Sequence, residues 1–411
     1  MGGDVSRRCE ITMLDDWSEP DGHAWRVMAS YERWFGNGPE VAVLRLLGLF
    51  DRMASEDAIA ALLREPKIPE LTDTLTGLNE RQWLQVLRRL RQAGLLTHPN
   101  PKFPHALDAH PLVREYYHHQ LREVYPAAWR AAHQRLYLYY QDAGWEAMPS
   151  TLEGLGPLYD AVVHGCLAGC HREALRQVFQ PRIRRHEQNF SIEQLGAFGA
   201  DLSALSHFFE SMWSRVAPGL EADEARFVFH AAGECLNALG RVTEAEEAMR
   251  KALALACQHE DWAMAATASA ALSESSRARS DFPNALHFAK ASASHAEQPH
   301  VPMVIQVKSH AFLGFVLHWM GHDREAEAAF HRAEQVQQLA DLERPLLHAV
   351  PGYMYCEWLL DQLEIRTSQL TSERFRQAWH DLCRRAEQAL IWAEHDGRPC
   401  DIGLLVRHEV A

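Results

Sequence analysis

The feature that most constrains the fold of this chain is a sequence pattern that recurs in its C-terminal half. One strong copy opens at Gly233 and another at Gly314, and in both a glycine follows after seven residues and an alanine after twelve. A weaker copy lies between them, so that alignable alanines stand at 245, 285 and 326, a period of 40 to 41 residues. A chain with such a period folds as a row of similar units, each of which buries its apolar face against the next.

The order of small and large residues within each copy predicts two antiparallel helices. Gly233 lets the first helix approach its partner closely, Gly240 ends that helix in the left-handed conformation, and Ala245 seats the second helix in the groove. This order resembles the tetratricopeptide repeat, although the longer unit adds roughly a turn, about 5 Å, to each helix of the usual repeat. We therefore expect tetratricopeptide repeats over residues 221–395.

Further copies of the repeat are degenerate. Residues 158–179 have the spacing of a helical hairpin around Gly169, and residues 353–363 have the pattern of another first helix. The partner of that helix resumes at 375–395, after an extra stretch. An amphipathic helical bundle whose pattern recurs by chance is the alternative, but two strong copies with identical internal spacing favour the repeat.

The first 120 residues differ in kind from the repeats. Apolar periodicity predicts three helices before Gly94, with Ser55 and Asn79 as N-caps of the second and the third. Two short strands are expected at 95–97 and 106–108, on either side of a proline-rich turn. Three helices followed by a small β-hairpin is the layout of a winged helix.

We therefore expect an all-α protein, with an N-terminal winged-helix domain that carries a small β-hairpin wing and with an α-solenoid of tetratricopeptide-like helical hairpins. The expected order is a helical N-terminal segment, the winged helix, a helical connector with a degenerate repeat, the tetratricopeptide repeats and a C-terminal tail, at residues 1–39, 40–122, 123–220, 221–395 and 396–411. Because no apolar run approaches the length of a membrane span and the N-terminus has no apolar signal segment, we expect a cytoplasmic protein without a membrane partner.

Charge and missing motifs exclude several functions. With 55 acidic and 41 basic residues, the net charge is −14, so a protein that coats nucleic acid or an anionic membrane is not expected. The dipeptide Gly-Lys never occurs, which excludes a Walker A phosphate loop, and the motifs of serine hydrolases and zinc proteases are missing as well. Cys166 and Cys170 lack a second ligand pair and are better explained by helix packing. We expect no metal site, no catalytic residue and no enzymatic activity.

Residues 45–52 read Arg-Leu-Leu-Gly-Leu-Phe-Asp-Arg, and residues 107–116 read Leu-Asp-Ala-His-Pro-Leu-Val-Arg-Glu-Tyr. Both segments resemble the winged-helix region of STAND proteins, the signal-transduction ATPases with numerous domains, which include NACHT and NB-ARC types and often end in tetratricopeptide sensors. In such proteins a nucleotide-binding core precedes the winged helix. The resemblance implies that this chain is the C-terminal part of a bacterial STAND protein of NACHT type without its NTPase core, and therefore a non-catalytic sensor and regulatory module.

The same resemblance gives one residue a nucleotide-sensing role. In STAND proteins the helix after the wing begins with a Met-His-Asp-like triplet, whose histidine contacts the β-phosphate of the bound nucleotide. His110 matches that histidine, although its neighbours Ala109 and Pro111 depart from the triplet. A histidine that caps the helix and packs near the wing is the alternative. No cofactor is expected for the chain alone, because ATP or ADP would need an NTPase core supplied by a separate polypeptide, which would then be a partner.

The first helices of tetratricopeptide hairpins line a concave groove in which a protein or peptide ligand binds. Counting from the two opening glycines gives the positions that point into this groove. The candidate groove residues are Phe227, His230, Glu234, Asn237, Glu274, Arg277, Lys308, Phe315, His318, Trp319, Tyr353 and Glu357. Phe315 and Trp319 would anchor the ligand, because exposed aromatic side chains dominate binding energy. The alternative is that these two aromatic side chains pack against the next repeat.

Two other functions stay open. A winged-helix DNA-binding transcriptional regulator would use the arginine-rich third helix, in which Arg81 and Arg88 share a face while Arg89 and Arg91 are rotated away. Because the first 150 residues carry more acidic than basic side chains, a solvated charged helix is the better explanation, and nucleic acid is not an expected partner. The other alternative is a plain tetratricopeptide adaptor for protein–protein interaction.

Overall fold

A computed structural model describes residues 22–142, 148–366 and 372–396, and these residues are mostly helical, as predicted. The chain divides into two compact units, the first formed by Met1–Ala147 with Gly156–Ala174 and the second by Met148–Leu155 with Leu175–Ala411. Within the described ranges, no helix combines the length and the apolar character that crossing a membrane requires. The two units are taken in turn below.

The first unit is built from helices whose starts are set by local sequence. They are α1 (Gly22–Phe35), α2 (Pro39–Leu47), α3 (Glu56–Leu62), α4 (Glu80–Gln92), α5 (Pro111–Val124), α6 (Pro126–Asp142) and, from Gly156 onward, α7 (Leu152–Leu167). The Ser55 hydroxyl accepts a hydrogen bond from the backbone N–H of Ala58, at 3.2 Å. Asn79 and Gln82 cap each other reciprocally, with bonds of 2.9 and 3.0 Å. Both predicted N-caps are therefore confirmed.

Helix α2 is the centre of the core of the first unit. Its apolar side chains, among them Val41 and Leu44, are completely buried, as expected for a helix that is apolar all round. Its one basic side chain, Arg45, is buried as well but has partners: it lies 3.1 Å from the Glu32 carboxylate and donates to the Gln120 side chain at 2.9 Å. The charge is therefore compensated inside the core.

Three extended segments come together in the first unit. Ala54 and Leu107 exchange two backbone hydrogen bonds of 2.9 Å, and the N–H of Thr97 donates to the Asp108 carbonyl at 2.9 Å. The two predicted strands meet only through such isolated bonds, so the expectation of a regular β-hairpin is wrong. Prolines at 99, 101 and 104 remove backbone N–H donors from the intervening turn, which keeps the ladder from extending.

The second unit opens with irregular structure. The short helix α8 (His171–Glu173) still belongs to the first unit. The elements of the second unit are a π-helix (Ala174–Arg184, from Leu175 onward), a 3-10 turn (His186–Gln188), α9 (Phe190–Glu193), α10 (Phe198–Ser206), β1 (Phe209–Ser211) and β2 (Arg215–Val216). The chain turns at Gly169 with φ +87°, as the degenerate hairpin at 158–179 requires, but a π-helix takes the place of the regular helix expected after it. Phe209 and Val216 pair in a two-stranded antiparallel sheet that the sequence did not indicate, so the chain is not strictly all-α.

Four helical hairpins follow. They are α11 (Ala222–Ala238) with α12 (Val242–Gln258), α13 (Trp262–Ala278) with α14 (Phe282–Ala296), α15 (Met303–Trp319) with α16 (Asp323–Ala340), and α17 (Ala349–Arg366) with α18 (Ser372–Asp396). The first three hairpins begin 40 and 41 residues apart, which confirms the predicted period. Gly240 and Gly321 end the first helices of the strong copies with φ +75°, and Ser280 adopts φ +61° at the same place in the weak copy. The predicted extra stretch after α17 falls partly on residues 367–371, and most of the predicted tail falls on 397–411; both lie outside the described residues.

Complementary pairs of small and large residues hold the two helices of each hairpin together. A Cβ atom on Gly233 would lie 2.8 Å from the Met249 side chain, and one on Gly314 would lie 3.0 Å from the Phe330 ring. Each large side chain on a second helix therefore needs a glycine on the first. In the weak copy, Ser273 stands at the glycine position and only an alanine, residue 289, stands opposite. The size of the side chain on one helix is thus matched to the size of the one that faces it, so the spacing between the two helices is kept in all three copies.

This matching of large and small side chains predicts how substitutions in the weak copy change its stability. We expect Ala289→Phe to lower the free energy of unfolding by about 1–3 kcal/mol, because the Ser273 side chain occupies the space that a phenylalanine needs. The double variant Ser273→Gly, Ala289→Phe should recover part of that loss. Urea unfolding followed by circular dichroism measures both values, and a double variant no more stable than the single one would contradict the pairing.

Candidate functional site

The candidate groove residues all lie on the first helices α11, α13, α15 and α17, but their exposure differs widely. Exposed side chains are those of Glu274, Lys308 and Trp319. Half-buried side chains are those of Phe227, His230, Glu234, Asn237, Arg277, His318, Tyr353 and Glu357. Phe315 is buried. The surface that these helices offer to a ligand is therefore smaller than the sequence pattern predicts.

The expectation that Phe315 anchors a ligand is wrong. Its side chain is 6% exposed and belongs to the same apolar core cluster as Phe330 and Trp358. Trp319, one turn further along α15, is 51% exposed, and its ring lies 6.1 Å from that of Phe315 at an angle of 70°. Phe315 therefore packs against the next repeat, as in the alternative given above. Trp319 is the aromatic side chain of this pair that a ligand can reach.

Arg277 lies against both of these aromatic rings. Its guanidinium carbon is 5.8 Å from the centre of the Phe315 ring and 5.9 Å from that of Trp319, which is the geometry of a double cation–π contact. Among the described residues, no carboxylate lies within ion-pair distance of Arg277, and its buried Nε atom has no hydrogen-bond partner. A guanidinium that is held in place and has no counter-charge nearby is suited to bind an anionic group.

His318 contacts neighbouring helices and does not face a ligand. Its Nε2 atom lies 2.9 Å from the Asp361 carboxylate on α17, and its Nδ1 atom lies 3.6 Å from that of Asp323 at the start of α16. Gln362 donates to the same Asp323 carboxylate at 3.0 Å. The predicted ligand role of His318 is thus replaced by a link between consecutive hairpins.

Other candidates are engaged within the second unit as well. The Phe227 ring packs edge-on against Phe179, with ring centres 6.4 Å apart, and Tyr353 packs against the core cluster around Phe330. The Asn237 side chain accepts a hydrogen bond from the Ser275 hydroxyl at 2.8 Å, which connects the first two hairpins. These residues hold the row of hairpins together.

Glu234 belongs to a buried charge cluster that sequence reasoning missed. Its carboxylate lies 2.8 Å from the guanidinium of Arg184, a side chain that is almost completely buried at the end of the π-helix. Arg184 also lies 2.6 Å from the completely buried Asp201 and donates to Asn189 at 3.2 Å. The Ser191 hydroxyl donates to Asp201 at 2.9 Å. The cluster connects the irregular opening of the second unit to its first hairpin.

Burial and charge act in opposite directions on this cluster. Burial would raise the pKa of Glu234, but the Arg184 guanidinium, assisted by Lys308, holds that pKa below its usual range. Burial lowers the pKa of His230, which favours the neutral imidazole. Glu234 is therefore a charged partner of Arg184 and is not a free ligand group, which corrects its predicted role. The sequence carries no local signal for this, since Asp201 and Glu234 are distant from Arg184 along the chain.

His110 occupies the N-cap of α5. It is exposed, its ring Nδ1 atom accepts a hydrogen bond from the backbone N–H of Leu112 at 3.2 Å, and Pro111 follows at the first helical position. This geometry is that of the helix-capping alternative. Contact with a nucleotide stays a prediction.

The cysteines of the predicted packing pair are positioned as helix residues. Cys166 is buried near the end of α7 and Cys170 is half-buried after it, and burial raises the pKa of both thiols. A raised pKa keeps a thiol protonated and disfavours both metal binding and nucleophilic attack. In the part of the chain that the structure describes, no group of three or more His, Cys, Asp or Glu side chains is placed to hold a metal ion.

The second unit is thus a row of helical hairpins in which an arginine that has no acidic partner among the described residues adjoins an exposed tryptophan. No family model matches this chain, and no curated protein matches its sequence. Among solved structures, it is similar to a signal transduction ATPase with numerous domains that has a tetratricopeptide repeat sensor, from Pyrococcus horikoshii. The sequence identity is 13% and the TM-score is 0.38, over 97% of this chain and 55% of that one, so this chain spans about half the length of its structural neighbour.

Proposed function

We propose that this chain is a non-catalytic sensor module whose tetratricopeptide repeats bind an acidic segment of a protein or peptide ligand. The observation that carries the proposal is Arg277, a guanidinium held by two aromatic rings without an acidic partner among the described residues. Elsewhere on the first helices, polar side chains such as Glu234 and His318 are engaged by other residues of the unit. The Arg277–Trp319 surface, formed by these two side chains, is where a ligand group finds an unsatisfied charge.

Two physical terms favour binding at the Arg277–Trp319 surface. Because the rings already hold the guanidinium, a ligand carboxylate meets a donor that has lost much of its rotamer freedom, which reduces the entropic cost of binding. The half-exposed Trp319 indole adds apolar area beside the charge. Tryptophan and arginine are the residue types that most often dominate the energy of protein interfaces.

Other charged side chains on the first helices restrict how an acidic segment can lie on the Arg277–Trp319 surface. Lys308 is exposed on the same helix as Trp319 and adds a second cation, whereas Glu274 is exposed one turn before Arg277 without pairing with it. An acidic group is attracted toward Arg277 and Lys308 and repelled from Glu274. The register of an extended acidic segment is thereby restricted.

We further propose that the first unit contains a winged helix and that the chain has a STAND-type architecture. Support comes from the order of α2, α3 and α4 with short extended segments at Ala54, Thr97 and Leu107, and from the resemblance of the two segments noted above. In this proposal the winged helix transmits ligand occupancy to an NTPase core. ATP or ADP bound by that core would meet His110. A plain tetratricopeptide adaptor would use the same ligand surface but would not transmit ligand occupancy to an NTPase core.

Selection of random displayed peptides on the purified chain tests the ligand-binding proposal. We expect the selected peptides to be rich in Asp and Glu. In calorimetric titrations with one selected synthetic peptide, Arg277→Gln and Trp319→Ala should each weaken binding about tenfold or more, in line with losses of roughly 1.5–2 kcal/mol at central interface residues. His318→Ala is a poor probe, because it also breaks the contact with Asp361.

Matched variants on the second helices are the controls. Arg332→Gln removes an exposed arginine from α16, and Trp379→Ala removes a tryptophan that is 43% exposed on α18. Both should leave the affinity unchanged. Equal losses in the control variants, or full affinity in Trp319→Ala, would mean that the Arg277–Trp319 surface is not the binding site.

A further inference from the structure

A run of sequence in the first unit has a charge opposite to that of the whole chain. Residues 81–107 contain four arginines, one lysine and two histidines but no aspartate and no glutamate, although the chain has a net charge of −14. This run forms nearly all of α4 and the loop after it. A stretch of this length without a carboxylate, in an acidic protein, points to a surface for an anionic partner.

The structure shows how these side chains are arranged on α4. Arg81, Leu84, Gln85, Arg88 and Gln92 are all exposed and recur at the spacing of one helix face, which we call the exposed face of α4. Among the described residues, neither Arg81 nor Arg88 has an acidic group within ion-pair distance. The face therefore presents two free guanidinium groups and two amides to the solvent.

The other two arginines of α4 behave differently from each other. Arg89 lies 3.0 Å from the Glu40 carboxylate and is neutralised by it. Arg91, which the helical spacing places off the face, lines a shallow depression together with Arg88, Gln92 and His98. A second shallow depression runs along the face from Arg81, and no carboxylate lines either of them. Arg81 and Arg88 thus keep their charge uncompensated on the face, with Arg91 beside Arg88.

We propose that the exposed face of α4 binds double-stranded DNA in the major groove. The helix has 13 residues, a length of about 20 Å, and an α-helix fits the width of the major groove of B-form DNA. Arginine pairs with guanine and glutamine with adenine through two hydrogen bonds each, and these two residue types alternate along the face. Arg91, which lines the same shallow depression as Arg88, adds a further cation beside the face.

Two other anionic partners fit this face less well. The major groove of double-stranded RNA is too deep and narrow for an α-helix to enter. An acidic protein surface would be expected to bury apolar anchors, but Leu84 is the one large apolar side chain on the exposed face of α4. Alternating guanidinium and amide donors favour DNA over both.

Fluorescence anisotropy of the full chain with a labelled pool of random DNA duplexes tests this proposal. We expect binding at low salt whose affinity falls about a hundredfold between 50 and 200 mM salt, as the neutralisation of roughly four phosphates requires. Arg88→Glu and Arg81→Glu should each weaken binding at least tenfold. After selection of a preferred sequence from the pool, Gln85→Ala should weaken binding to that sequence but not to the unselected pool.

Arg130→Glu is the matched control, because Arg130 is exposed on α6 of the same unit and makes the same change of charge. It should leave the affinity for the duplex pool within twofold of the unchanged chain. The proposal is overturned if the pool does not bind at 50 mM salt, if Arg130→Glu weakens binding as much as Arg88→Glu, or if polyglutamate competes as well as duplex DNA. Circular dichroism of each variant shows whether a loss of binding reflects a loss of fold.

Discussion

The variant Gly48→Ala is expected to lose about 3 kcal/mol or more of the unfolding free energy of the first unit. A Cβ atom at this position would lie 2.6 Å from the backbone nitrogen of His118 and 2.7 Å from the carbonyl carbon of Tyr117. Gly48 has ordinary right-handed backbone angles, so alanine adds no backbone strain and the whole effect is steric. Because the obstacle is the backbone of α5, no side-chain rotation can relieve it.

Gly77→Ala is the matched control for Gly48→Ala. A Cβ atom at Gly77 meets nothing within 4 Å, so this change should alter stability by less than about 0.5 kcal/mol. Hydrogen exchange of peptides from α2 and α5 in increasing urea assigns any loss to the first unit. An equal stability of the two variants would show that α2 and α5 do not approach as closely as the structure indicates.

The second large effect is expected at Arg184. Arg184→Met should lower the free energy of unfolding of the second unit by about 3–5 kcal/mol, because it leaves the completely buried Asp201 without its cation. The pH dependence should change as well. A carboxylate whose pKa is depressed in the folded state, as that of Glu234 is, contributes stability that is lost as the pH falls through that pKa. Arg184→Met removes the main cause of the depression and should weaken this acid sensitivity.

Two further variants separate pairing from packing at Arg184. Arg184→Met, Asp201→Leu removes the cation together with the completely buried carboxylate, and an apolar pair of similar volume is often neutral relative to a buried ion pair. It should recover part of the stability, because the half-buried Glu234 still lacks its cation. Arg215→Met breaks an exposed pair with Glu210 and should cost less than about 1 kcal/mol. Urea unfolding at pH 7 and pH 4 provides the values. A single variant as stable as the unchanged chain would contradict the role of the cluster.

The sequence predicted those parts of the fold that depend on local chemistry. The glycines at 233, 240, 314 and 321 act through their own backbone angles or through a neighbour one helix away, so their spacing was enough to predict the first and the third hairpin. Ser55 and Asn79 cap helices by bonding to residues three positions further along the chain. Both partners of such a cap lie in the same short stretch, so the sequence is enough to predict it.

The parts of the fold that the sequence did not predict depend on residues far apart in the chain, or on how a helix is rotated about its own axis. Arg184 and Glu234 are 50 positions apart, and nothing local in either segment indicates that they meet. Phe315 and Trp319 are one turn apart on the same helix, but only the contact with the next hairpin decides that Phe315 is buried and Trp319 is not. Arg277, on the first helix of the preceding hairpin, lies against both rings, which residue spacing alone does not reveal.

A charge exchange between Arg277 and the acidic group of the ligand tests whether the two bind each other. A peptide selected on the unchanged chain is compared with a copy in which its acidic residues are replaced by lysine, each titrated by calorimetry into the unchanged chain and into Arg277→Glu. We predict that the unchanged chain binds the acidic peptide at least tenfold more tightly than the lysine copy, and that Arg277→Glu reverses this preference. If the preference for the acidic peptide is the same in both proteins, Arg277 does not bind the ligand.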